Sequence, residues 1–144
     1  MSEVLFYSGV SDRLGFVCKL LRKAVASGAR VGVCGPQRAL DKLDQALWVH
    51  EPHEFVPHLS VRPDSDPELL QRTPVLLVSQ LEQLPHREVL LNLETEVPTA
   101  FDEFQRILEV VSTEAQTVQW GRRRYKHYQQ AGCEMQHYVA GEGR

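Results

Sequence analysis

The stretch Val118-Gln119-Trp120-Gly121-Arg122-Arg123-Arg124-Tyr125-Lys126-His127-Tyr128 places a run of cations among aromatic rings. At helical spacing Val118, Gly121, Tyr125 and Tyr128 share one face. Arg122, Lys126 and Gln129 lie one step around the cylinder, at i, i+4 and i+7. A guanidinium presents a planar fork of N–H donors that matches a carboxylate. An apolar stripe beside such a row suits a ligand that is acidic and hydrophobic at once. The same pattern also fits a core stripe with a solvated basic edge. Arginine and aromatic side chains together suit single-stranded DNA as well. Against that stands the net charge of −3, from 16 basic and 19 acidic residues, so any nucleic-acid contact would have to be local.

A second group is Leu43-Asp44-Gln45-Ala46-Leu47-Trp48, followed by Glu54-Phe55-Val56-Pro57-His58. Tryptophan at a helix end and phenylalanine in a proline-bounded loop are common anchors of protein interfaces. They serve equally well as plugs folded back onto a core.

Catalytic signatures are missing from the places where this arrangement would carry them. The turn Ser8-Gly9-Val10-Ser11-Asp12 lacks G-x-G-x-x-G, and Cys34-Gly35-Pro36-Gln37-Arg38 lacks G-x-x-x-x-G-K-[ST]. Phosphate cradles need those glycine-bearing amides and, in the second motif, a lysine. His50, His53 and His58 share a loop, but their spacing matches no metal motif, and polar loop residues explain them. Cys18, Cys34 and Cys133 form no C-x-x-C pair, so neither a disulfide framework nor a zinc site is expected. No nucleophile elbow is present. The expectation is a binding protein without cofactor or metal, and not an enzyme.

Several short elements must position these groups. Val4 to Tyr7 reads as a strand, and Ser11 as the cap of a helix carrying Leu14, Val17, Cys18, Leu21 and Val25, stopped at Ser27-Gly28. Arg30 to Cys34 reads as a strand, and Gly35-Pro36 opens a helix with Leu40, Leu43 and Leu47 on its buried side. Residues 49–72, with four prolines at 52, 57, 63 and 67, read as a long loop. Pro74 to Val78 and Val89 to Leu93 read as strands joined by a polar connection from Gln80 to Arg87. Thr99 is expected to cap a helix with Phe101, Phe104, Ile107, Leu108 and Val111 facing inward. A last helix runs from about Thr117 to Ala131 with Gly132 as its stop, and Met135 to Tyr138 is expected as an edge strand. Alternating strands and helices with short connections define an α/β fold with an open, mostly parallel sheet.

With 144 residues the chain fits a single α/β domain, expected over 1–139, with a loose tail over 140–144. The first residues lack a basic, signal-like segment, and no stretch has the apolar length of a membrane span, so a cytoplasmic protein is expected.

Taken in order, these groups are similar to the chi subunit family of bacterial DNA polymerase III holoenzyme. The resemblance rests on Leu43 to Trp48, Phe55-Val56-Pro57-His58, Arg124-Tyr125-Lys126 with Tyr128, and Ala131-Gly132. Phe6-Tyr7 and Phe101-x-x-Phe104 with Glu109-Val110-Val111 also fit, so the likeness spans nearly the whole chain. It implies a Rossmann-like fold without nucleotide and a non-catalytic accessory subunit. It implies one surface for the psi subunit, which connects chi to the clamp loader, or for a helicase that competes for that surface. Trp48, Phe55, Val56, Pro57 and His58 fall there. It implies a second surface for the acidic C-terminal tail of single-stranded DNA-binding protein, whose tip ends in proline and phenylalanine. Arg122, Tyr125 and Lys126 fall on that surface, with Val111 nearby as pocket wall. DNA would then be met only indirectly. The chain departs from the family at Val118 and Gln129, where relatives tend to carry basic residues, and at Cys133, where an aromatic is familiar. A less basic tail pocket follows from the first two.

Overall fold

Parallel strands covered on both faces require short, nearly continuous apolar runs, and Val31-Gly32-Val33-Cys34 and Val75-Leu76-Leu77-Val78 are buried at every position. The computed structural model describes residues 2–49 and 55–140. In chain order the elements are β1 (Glu3–Val10), α1 (Arg13–Ala26), β2 (Val31–Cys34), α2 (Gln37–Val49), β3 (His58–Ser60) and α3 (Pro67–Arg72). There follow β4 (Val75–Val78), β5 (Val89–Asn92), β6 (Arg106–Ser112), α4 (Ala115–Gln130) and β7 (Glu134–Val139). The seven strands form one open sheet in the order β3-β4-β2-β5-β6-β1-β7. Every pairing in it is parallel.

The sheet separates two apolar cores. On one face α1 and α2 bury Val17, Cys18, Leu21, Leu40, Leu43 and Leu47 against Val33, Leu91, Leu108 and Val110. On the other, Phe101, Phe104 and Tyr128 of α4 pack with Phe6, Leu76, Leu90, Ile107 and Val111. Asp12 caps α1 by accepting from the Gly15 N–H at 3.0 Å. Gly28 and Gly132, both at φ +86°, end α1 and α4 in the left-handed conformation that glycine adopts without penalty.

Several expectations are corrected. Asp12, not Ser11, is the cap of α1. The segment from Thr99 to Val111 is not a helix. Phe101–Glu103 forms a single 3-10 turn, and Arg106–Ser112 is the strand β6, paired with β1 and β5. The apolar spacing imitated a helix because Glu109 interrupts an otherwise continuous run. Within residues 49–72, His58–Ser60 adds β3 at the sheet edge and Pro67–Arg72 forms the short helix α3, capped by Asp66. Leu81–Gln83 is a 3-10 turn inside the polar connection. Strand β1 continues past Tyr7 to Val10, with an irregularity in its pairing to β6 between those residues. His50, His53 and the segment 141–144 lie outside the described residues.

His86 is buried beside β5, and its Nδ1 accepts from the Glu88 N–H at 3.2 Å, so the ring is neutral. Burial, and then the charge of Arg30, hold its pKa below the ordinary histidine value. The unfolded chain therefore binds a proton that the folded chain refuses, and stability falls as pH drops below about 6.5. His86→Asn, whose Oδ1 can replace Nδ1, flattens that acid arm. Urea midpoints measured between about pH 7 and pH 5 check this; equally steep curves for both proteins would remove His86 as the cause.

Candidate peptide-docking site

Helix α4 lies on the sheet because its sequence gives it a small and aromatic face. Gly121, Arg124 and Tyr128 are its buried positions. A Cβ at Gly121 would stand 2.8 Å from Val111 Cγ2, so the helix backbone rests directly on β6. Valine in a strand cannot yield easily. Gly121→Ala therefore lowers stability by up to about 2 kcal/mol, an overpacking cost of about 1–3 less a helix-propensity gain of about 1. A urea midpoint at or above that of the unchanged protein would show that the contact relaxes freely.

The phase of α4 is fixed by a buried polar cluster. Glu109 on β6 is completely buried and accepts from Arg124 Nε at 2.8 Å, Asn92 Nδ2 at 2.9 Å and Tyr128 Oη at 2.7 Å. Arg124 Nη1 also donates to the Thr95 carbonyl at 3.0 Å. Burial drives the Glu109 carboxyl above the usual carboxylate range, and the Arg124 guanidinium and the other two donors oppose that drive. Three donors converging on two oxygens fit the ionised carboxylate. Arg124 is thus taken out of the basic run and spent on folding.

With Arg124 turned inward, Val118, Gly121, Arg122 and Tyr125 line a groove of about 480 Å³ between α4 and the sheet. Phe6 and Val111 complete its apolar lining, and Ser8 and His137 close its rim. The Tyr125 ring is held edge-on to Phe6 at 5.0 Å. Ser8 Oγ and His137 Nε2 are 2.6 Å apart, joined across the β1–β7 pair, in which Phe6 stands opposite His137. Arg122 and Lys126 are exposed, and neither enters an ion pair among the described residues. Lys126 and Gln129 stand beside the groove and do not line it. Phe6, Ser8, Gly121 and His137 were missing from the site residues drawn from sequence. Gly121 lay on the apolar stripe already, but Ser8 and His137 meet only through strand pairing.

The second group occupies the opposite face. Trp48 at the end of α2 is 62% exposed and Phe55 45% exposed, with ring centroids 5.2 Å apart. Pro57 is exposed, whereas Val56 is buried in the α1–α2 core and, with Phe55, lines the edge of a hollow beside α1. The His58 side chain is buried, with Nδ1 2.6 Å from the Val56 carbonyl and Nε2 3.2 Å from Asp44 Oδ1. That second approach has ion-pair distance but not hydrogen-bond alignment. His58 braces the loop beneath the Trp48 ring, whose centroid lies 5.2 Å from its own. The thiols of Cys18 and Cys34 are buried, and burial, reinforced by Glu94, pushes Cys34 up to about 12.

Two partly apolar surfaces, one of them rimmed by cations without ion pairs among the described residues, thus lie on opposite faces of an open parallel α/β sheet. A sequence model of the family described as "DNA polymerase III chi subunit, HolC" matches residues 1–136. The chain belongs to that family. It is 30% identical over 141 residues to the DNA polymerase III subunit chi of Pseudomonas aeruginosa, covering 94% of this chain and 95% of that one. The DNA polymerase III subunit chi of Escherichia coli is 29% identical over 126 residues, covering 86% of this chain and 83% of that one. That of Haemophilus influenzae is 29% identical over 118 residues, covering 80% and 78%. Membership makes this chain a subunit of DNA replication, with partners inside the polymerase III holoenzyme. No helix among the described residues is long and apolar enough to cross a membrane.

Proposed function

We propose that this chain is a non-catalytic adaptor that holds single-stranded DNA-binding protein at one surface and the psi subunit at the other, so linking the coated strand to the clamp loader. The observation that carries this reading is the groove of Phe6, Val111, Val118 and Tyr125 with an unpaired Arg122 at its rim. A peptide ending in phenylalanine places its ring in such a slot. Its terminal carboxylate then meets Arg122 in a charge-assisted pair, and Lys126, one turn further on, attracts the acidic residues that precede the tip. Trp48 and Phe55 serve as anchors for psi, or for a helicase that uses the same face.

Direct binding of single-stranded DNA by the basic helix is the competing reading. Withdrawal of Arg124 into the buried cluster leaves Arg122, Arg123 and Lys126 as the exposed cations of the run. A capture experiment separates the two. Immobilised single-stranded DNA is expected to retain this chain only when single-stranded DNA-binding protein with an intact C-terminus is present. Removing about the last ten residues of that protein abolishes retention. Retention by DNA alone, with a steep salt dependence, would favour direct binding.

A further inference from the structure

At the carboxyl ends of β2 and β5, between the first turns of α1 and α2, the structure opens a cleft of about 610 Å³. Its walls are apolar, from Leu14, Val17, Pro36, Ala39, Leu43 and Leu93. Its charges are Arg13, Arg38 and Lys42, and no acidic residue lines it. Helix α2 carries no acidic residue in its first turn, so its positive end adds to the same field, whereas the end of α1 is capped by Asp12. Arg38 and Lys42 are in no ion pair among the described residues. Arg13 Nε is buried without a hydrogen-bond partner, while its Nη2 reaches the Leu93 carbonyl only at 3.4 Å. A buried donor left unmade costs free energy.

The cleft does not end at the crest of the sheet. Leu14 and Lys42 also line the adjoining hollow, which continues over Gln45 and Ala46 to Trp48 and Val49. Along α2, Arg38, Lys42, Ala46 and Val49 follow one another at i, i+4, i+8 and i+11 on one face. That stripe runs about 17 Å, or three helical turns. Its start is cationic, and its end is apolar and open, with Val49 84% exposed.

We infer that this groove is the continuation of the Trp48–Phe55 docking face, and that it takes a helical segment of the same partner, psi, with apolar residues over Val49 and Trp48 and a carboxylate in the Arg13–Arg38–Lys42 cleft. The inference rests on the proposal that Trp48 and Phe55 anchor that partner. An amphipathic helix laid in a groove reads as anchors three and four residues apart, which the spacing on α2 mirrors. A nucleotide is the poorer fit. Pro36 has no N–H to offer a phosphate, and neither adjoining turn has the glycines of a cradle.

The test uses the full chain and the psi subunit of the same bacterium, with affinities from calorimetry at two salt concentrations. Arg38→Glu with Lys42→Glu is expected to weaken psi binding at least tenfold and to flatten its salt dependence. The double variant keeps full affinity for the tail peptide. Both side chains are exposed, and a variant pair to glutamine separates loss of charge from repulsion. Unchanged psi affinity in both pairs, while Trp48→Ala loses binding, overturns the inference and leaves the docking face standing. Unchanged affinity in Trp48→Ala and Phe55→Ala overturns the docking face itself. Stabilisation of the chain by pyrophosphate or a nucleoside triphosphate, abolished by Arg38→Glu with Lys42→Glu, would make the cleft a small-anion site and also overturn the inference.

Discussion

Arg124→Ala is expected to cost about 3–5 kcal/mol of folding stability, the typical loss when one member of a buried ion pair is removed. The Glu109 carboxylate is completely buried, and without the guanidinium it keeps only the donors of Asn92 and Tyr128. The Thr95 carbonyl loses its donor as well. A carboxyl already driven upward by burial then loses its cation, and protonation on folding relieves only part of the cost. Replacing both partners, as Glu109→Leu with Arg124→Met, should recover much of the loss, because no charge remains to be desolvated. Urea unfolding of the single and double variants measures the coupling directly. A loss within about 0.5 kcal/mol for Arg124→Ala would place it with ordinary surface substitutions and contradict the buried cluster.

Arg122→Ala carries the second large effect, on binding and not on folding. Arg122 is exposed and makes no ion pair among the described residues, so its removal leaves the fold intact. A hydrogen bond to a charged group contributes about 1.5–3 kcal/mol. Affinity for a peptide ending in phenylalanine should therefore fall roughly tenfold to a hundredfold. The remaining attraction is largely ionic and should weaken as salt rises, through Lys126 above all. Gln129 is neutral and stands beside the groove, so Gln129→Ala is expected to change little. Calorimetry with the tail peptide checks all three; an unchanged constant for Arg122→Ala would remove it from the site.

These two neighbouring arginines show how far the sequence could be read. The apolar stripe of Val118, Gly121 and Tyr125 has helical spacing, and that spacing correctly put Arg122 beside it. Nothing in a run of three identical residues marks Arg124 as buried, because its partner sits on β6. The sequence pattern reads that strand as a helix, since Glu109 breaks the apolar run that marks a strand covered on both faces. A buried carboxylate thus hid both the strand and the fate of the arginine. The βαβ alternation was plain for β1 to α2 and for β4 and β5, where glycine or proline marks the turns. His58–Ser60 escaped notice because three half-buried residues make no periodic signal. Ser8 and His137 meet only through the pairing of β1 with β7, a long-range fact that spacing along the chain does not contain.

The α4 groove can be tested most directly by titrating the isotopically labelled chain with a peptide of the single-stranded DNA-binding protein tail and following backbone amide shifts. Shifts are expected to concentrate at Val111, Val118, Gly121, Arg122, Tyr125 and His137, and to be lost when the peptide lacks its final phenylalanine. No shifts at saturating peptide, or shifts confined to the α1–α2 face, would contradict docking in the α4 groove.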